Sequence, residues 1–398
     1  LCPGDPRDPP VAGYLSDGDL VLDAECRYAL YPQAQAGLCL KGTWAVVAGG
    51  SNTVLMSMGL ANLLHPTAVD PVKDGASMGS TTVVDVIIKN GELVYKNASQ
   101  LPGCSNLGYD AACQELIRQH IAAAPAYSPD ATRVTQFIAQ YWDHVGPAIE
   151  TVQNDAGWAP SKVVFLTQVS AWYIYCSVKE VAWCPRSELL QSVDAAGLAV
   201  FEAQMDPVLT QLDAFCGLDR VSACMVGTTS WQAPPPGRQT TWYNNYNRAI
   251  EQGVMASQHL KLLDFWDLGI SMSDQCIGGH GSPMSNIWIW QIVFNQDGVC
   301  EPDQAAEGTS AEFTGELCFG QQVSEDLAGC DYYRENCPNT NRCEMWECAN
   351  SMPCIFSAVE GAFQGAIDGV CEVPVAVDFA EAAQAYDEVC DRIWCDDR

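Results

Sequence analysis

The sequence predicts an α/β fold, a three-layer sandwich whose central, mainly parallel sheet is covered by helices on both faces. Two observations carry that expectation. Strand-like runs alternate with helical patterns over roughly 250 residues, as chains that build parallel sheets do. The strand-like runs are also apolar and rich in β-branched or aromatic residues, as a strand buried on both faces requires.

Residues 1–40 are rich in proline, glycine and aspartate and carry Cys2, Cys26 and Cys39, so they read as a cysteine-bearing, loop-rich lead-in. Regular alternation starts at a strand from Thr43 to Ala48, followed by the helical spacing of NTVLMSMGLANLL. A strand from Thr82 to Ile88 comes next, then helical patterns over Ala112 to Ala123 and Ala131 to Val152. Lys162 to Gln168 reads as a strand, Ser187 to Phe215 as a helix, Ala223 to Val226 as a strand and Trp242 to Gln258 as a helix. A last strand spans Leu260 to Phe265, and a further helix follows His280. These elements define an α/β domain over residues 41–298.

The chain changes character at about Cys300. Residues 299–398 hold ten of the 20 cysteines, with 21 acidic and four basic residues, and carry −17 of the net charge of −30. They form an acidic, cysteine-rich, disulfide-stapled C-terminal region whose CDYYRENCPNTNRCEMWECANSMPC resembles a disulfide-framed loop module. Five histidines and the absence of paired C-x2-C motifs argue against metal binding, and no metal or other cofactor is expected. The short loops Cys104 to Cys113, Cys176 to Cys184 and Cys216 to Cys224 read instead as local disulfides.

So many cysteines imply secretion into an oxidising compartment, with a signal peptide already removed. Asn97-Ala98-Ser99 is an N-glycosylation sequon in keeping with this. The acidic surface repels phosphate, which disfavours nucleic acid and anionic membranes as partners. No apolar stretch reaches the roughly 20 residues of a spanning helix, so membrane insertion is not expected. The acidic balance itself would suit calcium or another cation, although Asp17, Asp19 and Asp23 lack the closing glutamate of a calcium loop and read as a turn and strand.

Two stretches carry chemistry. In WAVVAGGSNTVL a strand ends in two glycines and Ser51, and a helix follows, so that the first amides of the helix point towards the serine. Ser51 then reads either as a nucleophile with an oxyanion hole at hand or as a helix N-cap after a glycine turn. In SDQCIGGHGSPMSNIWIWQIVF, His280 stands in a glycine loop after the last strand, where an imidazole can take a proton near neutral pH. Serine early and histidine late can meet at one edge of the sheet. Trp231, Trp242, Tyr243 and Tyr246 read either as a sugar-stacking platform or as core aromatics.

These stretches resemble the SGNH-hydrolase superfamily, and within it the PC-esterase branch, whose members add or remove O-acyl groups on glycans. GDLVLDAECRYALYPQAQAGLCLKGTWAVVAGGS is similar to that branch's lead-in and its strand ending Gly-Asp-Ser. CMVGTTSW, residues 224 to 231, is similar to its central small-residue and tryptophan motif, and the His280 segment to its terminal Asp-His block. The sequence departs from the family at Gly50, where the family has aspartate, at GTTSW, which lacks an asparagine, and at Ile277, three residues before the histidine, where the family has its aspartate.

The resemblance implies that Ser51 attacks an acyl carbonyl and His280 accepts its proton, while Asp274, with Asp264 and Asp267 as rivals, orients the imidazole. Gly50, Gly227 and Trp231 would hold the oxyanion and substrate. The implied function is a secreted carbohydrate O-acyl esterase or acyltransferase acting on an acylated glycan or cell-surface polysaccharide. The alternative is an inactive esterase-like extracellular protein that binds glycan or builds matrix, meeting protein partners through its C-terminal region.

Overall fold

The computed structural model describes residues 13–16, 19–22, 31, 33–65, 68–69, 81–100, 111–155, 157–169, 173, 195–229, 239–263, 265, 283–296 and 298–301. Asp264, Asp267, Asp274, His280, Trp231, most of the lead-in and the cysteine-rich region from residue 302 onwards lie outside them.

The lead-in contributes a two-stranded antiparallel hairpin, β1 (Gly13–Ser16) and β2 (Asp19–Leu22), and a short helix, α1 (Gln33–Cys39). A seven-stranded sheet then forms from β3 (Thr43–Gly49), β4 (Thr81–Lys89), β5 (Glu92–Gln100), β6 (Ala131–Ile138), β7 (Lys162–Gln168), β8 (Val221–Gly227) and β9 (Leu260–Leu263). Between and after the strands run α2 (Ser51–Leu64), α3 (Ala111–Ala122), α4 (Trp142–Asn154), α5 (Ala195–Cys216), α6 (Gln239–Met255) and α7 (Pro283–Phe294). Spatial order in the sheet is β5-β4-β6-β3-β7-β8-β9. The last five are parallel, and β4 and β5 extend the sheet antiparallel beyond β6.

Alternation along the strands sends their side chains into two apolar clusters. Trp44, Val46, Phe137, Phe165 and Val226 pack with residues of α3, α4, α5 and α6. Ala45, Val47, Val134, Ile138, Leu166 and Met225 pack with residues of α1, α2 and α7. The mainly parallel α/β arrangement read from the sequence is therefore observed.

The lead-in, read as loop-rich, holds β1 and α1, and within the main sheet two further elements differ from expectation. Ala131 to Val152 is not one helix: its first eight residues are the interior strand β6, and only the part from Trp142 is helical. The polar residues Thr132, Arg133, Thr135 and Gln136 are all buried, so β6 shows no polar face for a strand pattern to reveal. The second is β5, which enters through a hairpin at Asn90 and Gly91, both with positive φ, as a two-residue turn of the twist-matching kind requires.

Arg133 would be untenable in mid-sheet without partners. Its Nε and Nη2 donate to both carboxylate oxygens of Asp85 on β4 at 2.9 and 2.7 Å, Nη1 donates to Asp155 at 3.0 Å, and Nη2 also donates to the Ile121 carbonyl at 2.9 Å. Thr135 donates to Asp85 and in turn accepts from the Trp44 indole. The guanidinium lies 4.4 Å from the centre of the Trp44 ring and 5.4 Å from that of Trp158.

Disulfides staple the periphery. Cys216–Cys224 closes the short loop from α5 into β8, as its spacing suggests, with Cα atoms 5.9 Å apart. Cys39–Cys300 ties α1 to the chain just past α7, where Val299 is also buried. Tyr31 joins the same junction, since its backbone N–H donates to the Gln291 side chain and its carbonyl accepts from it. Cys113 is bonded as well, to a partner outside the described residues, so all five described cysteines are oxidised. No described helix is long and apolar enough to cross a membrane.

Replacing Asp85 with alanine leaves the buried guanidinium short of its main partner, and the unfolding free energy measured in urea should fall by about 3–5 kcal/mol. A second expectation concerns pH. Burial holds the His120 imidazole below its ordinary pKa, partly offset by Asp85 and by the Asn97 carbonyl beside it. Above about pH 6.5 the ring is neutral in both folded and unfolded chains, while below it the unfolded chain takes the proton first. Stability should therefore fall as pH drops through about 6.5, and His120→Gln should flatten that part of a melting-temperature profile.

Candidate active site at the carboxyl edge of the sheet

The parallel strands end together. Gly49 pairs with Ile138 on one side and Gln168 on the other, and Gly227 pairs with Leu263, so five strand ends form one continuous edge. In chain order the parallel strands β3, β6, β7, β8 and β9 lie as 2-1-3-4-5, so the direction of winding reverses at β3, and ligands of doubly wound sheets bind at such a reversal. The Gly49-Gly50-Ser51 turn stands at that point.

Gly50, in extended conformation, is the N-cap of α2, and Ser51 is its first helical residue. The N-cap reading of Ser51 is thus replaced by an N-terminal position inside the helix. Thr53 and Val54 donate their backbone N–H groups to the Gly50 carbonyl, while those of Ser51 and Asn52 precede the first intrahelical bond. The turn is fixed by close packing. A side chain on Gly49 would overlap the Gln168 carbonyl oxygen and the Thr53 side chain, so β7 and α2 close on the strand end from both sides. The Ser51 side chain is outside the described residues.

Gly227, the other glycine singled out from the sequence, ends β8 beneath the Phe265 ring, which occupies the space a Cβ would need. Past it, Thr228 donates its N–H to the Leu263 carbonyl and accepts at its own carbonyl from the Gln168 amide at 3.0 Å. The Thr229 N–H donates to Asn247 Oδ1 on α6 at 2.8 Å. β9 delivers the chain to this same edge at Leu263, ahead of the segment that carries Asp274 and His280 and leads into α7. α7 packs on α2, where the Trp290 indole donates to the Met56 carbonyl at 2.8 Å.

Several polar groups near this edge went unnoticed in the sequence. Asn52 Oδ1, Gln140 Oε1, Thr167 Oγ1 and both amide atoms of Gln136 are buried with no hydrogen-bond partner. Asn52 adjoins Ser51 in the chain, whereas Gln136, Gln140 and Thr167 belong to no motif, and only the strand register brings them to this end of the sheet. The described residues of these loops include no lysine or arginine, and no described group of His, Cys, Asp and Glu is placed to hold a metal.

Tyr246 settles into the core against Phe201 and Tyr173 and offers no stacking surface. Asn97 lies on β5 at the far edge of the sheet, opposite Asp85, half-buried and hydrogen-bonded through its side chain to Tyr95. No protein-family model, curated protein or solved structure matches the chain.

The close packing at the turn has a direct test. Gly49→Ala should lower stability by about 1–3 kcal/mol or more, because the backbone oxygen of Gln168 has nowhere to go. Gly37→Ala on α1, where nothing lies within 4 Å, should instead hold or raise the unfolding midpoint.

Proposed function

We propose that the protein is a secreted carbohydrate O-acyl esterase or acyltransferase, built as a three-layer α/β sandwich of SGNH, PC-esterase-like type. The observation that carries the reading is the position of Ser51, first residue of α2, in a glycine turn where the winding of the parallel sheet reverses. Oxidised cysteines and the Asn97 sequon support a secretory route, with a glycan on Asn97.

In the reaction, Ser51 Oγ bonds to the acyl carbon as its proton passes to His280, and the carbonyl π pair moves onto oxygen. Asp274 holds the imidazole tautomer. The N–H groups at the start of α2, next to Gly50, stabilise the oxyanion, with Gly227 and Trp231 at the substrate. Collapse breaks the bond from the acyl carbon to the sugar oxygen, which takes the proton from His280 and leaves as a hydroxyl. Water or a second sugar hydroxyl then repeats the sequence in reverse at the acyl-enzyme, giving hydrolysis or transfer. No metal is needed, since the developing charge is met by oriented dipoles.

A second reading draws on Gly50, Ile277 and the asparagine missing from GTTSW: an esterase-like extracellular protein without catalysis that binds acylated glycan and meets partners through its C-terminal region.

Labelling of the oxidised protein by a fluorophosphonate probe separates the two. The enzyme reading expects labelling that is lost in Ser51→Ala and in His280→Ala variants of unchanged melting temperature. A folded wild type that takes no label sinks it in favour of the binding reading.

A further inference from the structure

Gln140 stands out among the partnerless polar groups by its position. It lies two residues past Ile138, the β6 partner of Gly49, and just after Ala139, whose N–H donates to the Gly49 carbonyl at 2.8 Å. Along β6 the even-numbered Val134 and Ile138 face the cluster that contains α2, whereas Phe137, Ala139 and Tyr141 belong to the opposite one. Continuing that alternation puts Gln140 on the α2 side of the sheet, level with the Gly50-Ser51 turn.

Its amide is also unpartnered. Gln140 is only 2% exposed, and its Oε1 is buried without a partner. Its Nε2 makes no hydrogen bond to a described residue, so the described fold leaves these donors unused. Donors left unused at this position need a reason, and a ligand oxygen that accepts from Nε2 supplies one.

We propose that Gln140 is a catalytic residue of the acyl-transfer reading above, its Nε2 donating to the acyl carbonyl oxygen as that oxygen gains charge. It supplies from the end of β6 the side-chain donor that GTTSW at the end of β8 lacks. The oxyanion then sits between two sources of N–H: the first turn of α2 on one side and Gln140 on the other. Because both are fixed before substrate arrives, they need little reorganisation in the transition state.

The inference rests on Ser51 as nucleophile, and the test keeps the two apart. Hydrolysis of p-nitrophenyl acetate and fluorophosphonate labelling are measured for wild type and for Gln140→Ala, Gln140→Leu and Gln140→Glu. Loss of an oxyanion donor should lower kcat by roughly 100- to 1,000-fold, with KM little changed. Gln140→Leu should keep or raise the melting temperature, since it removes an unpartnered amide. Gln140→Glu should recover activity relative to wild type as pH falls and its carboxyl regains a proton to donate, a profile that a packing role would not produce. A labelled wild type whose Gln140→Ala and Gln140→Leu variants react at the wild-type rate overturns the role of Gln140 alone. An unlabelled, folded wild type overturns both readings.

Discussion

Arg133 is the residue around which the molecule is arranged. A guanidinium in the third position of a central strand is tolerable only if its charge is paired and hydrogen-bonded, and here the acceptors come from separate parts of the chain. Asp85 on β4 takes two bonds, Ile121 near the end of α3 takes one, and Asp155, the C-cap of α4, takes another. Asp85 reaches Arg133 only in the observed register, because a slip of one residue would turn its side chain to the α2 face. The cluster thus specifies how the antiparallel extension joins the parallel strands. Its net worth in stability is a smaller matter than that selection.

The two ends of the strands have divided their tasks. Arg133 and Trp44 lie near the amino ends of β6 and β3, where charge is locked into bidentate bonds and indole faces. Among the described residues at the carboxyl ends the polar groups are neutral: Asn52, Gln140, Gln168, Thr228 and Thr229. Some are held by the fold, as the Gln168 bond to Thr228 shows, and some are not. A sheet anchored at one end leaves its other end free to carry groups that contribute nothing to folding.

How much of this was legible in the sequence depended on where polar residues fell. β3 and β7 read clearly because their buried faces are almost wholly apolar. β6 did not, because Arg133, Thr135 and Gln136 are buried through tertiary partners that no local pattern announces. β5 was missed although Asn90-Gly91 is a strong hairpin signal, since its residues alternate weakly on an exposed edge. Cys216–Cys224 followed from a spacing of eight residues, whereas Cys39–Cys300, 261 residues apart, required the fold. At the candidate site the glycine turn was visible as a turn. Gln140 was not, because a glutamine two residues beyond a strand has no sequence signature and gains meaning only from the register of β6 with β3.

The chemistry of that edge bears on what it would accept. A chain with a net charge of −30 presents a repulsive field to anions, and the described loops offer no cation to offset it. Amides, hydroxyls and helix N–H groups instead match neutral, oxygen-rich ligands such as esters and sugars. They can also stabilise charge that appears only during a reaction, because a dipole aimed at an empty position interacts weakly with a neutral carbonyl and strongly with an alkoxide. In the proposed enzyme, the unpartnered amide of Gln140 is a cost borne by the folded protein. The same fixed orientation that makes it unfavourable in the free protein makes it effective in the transition state.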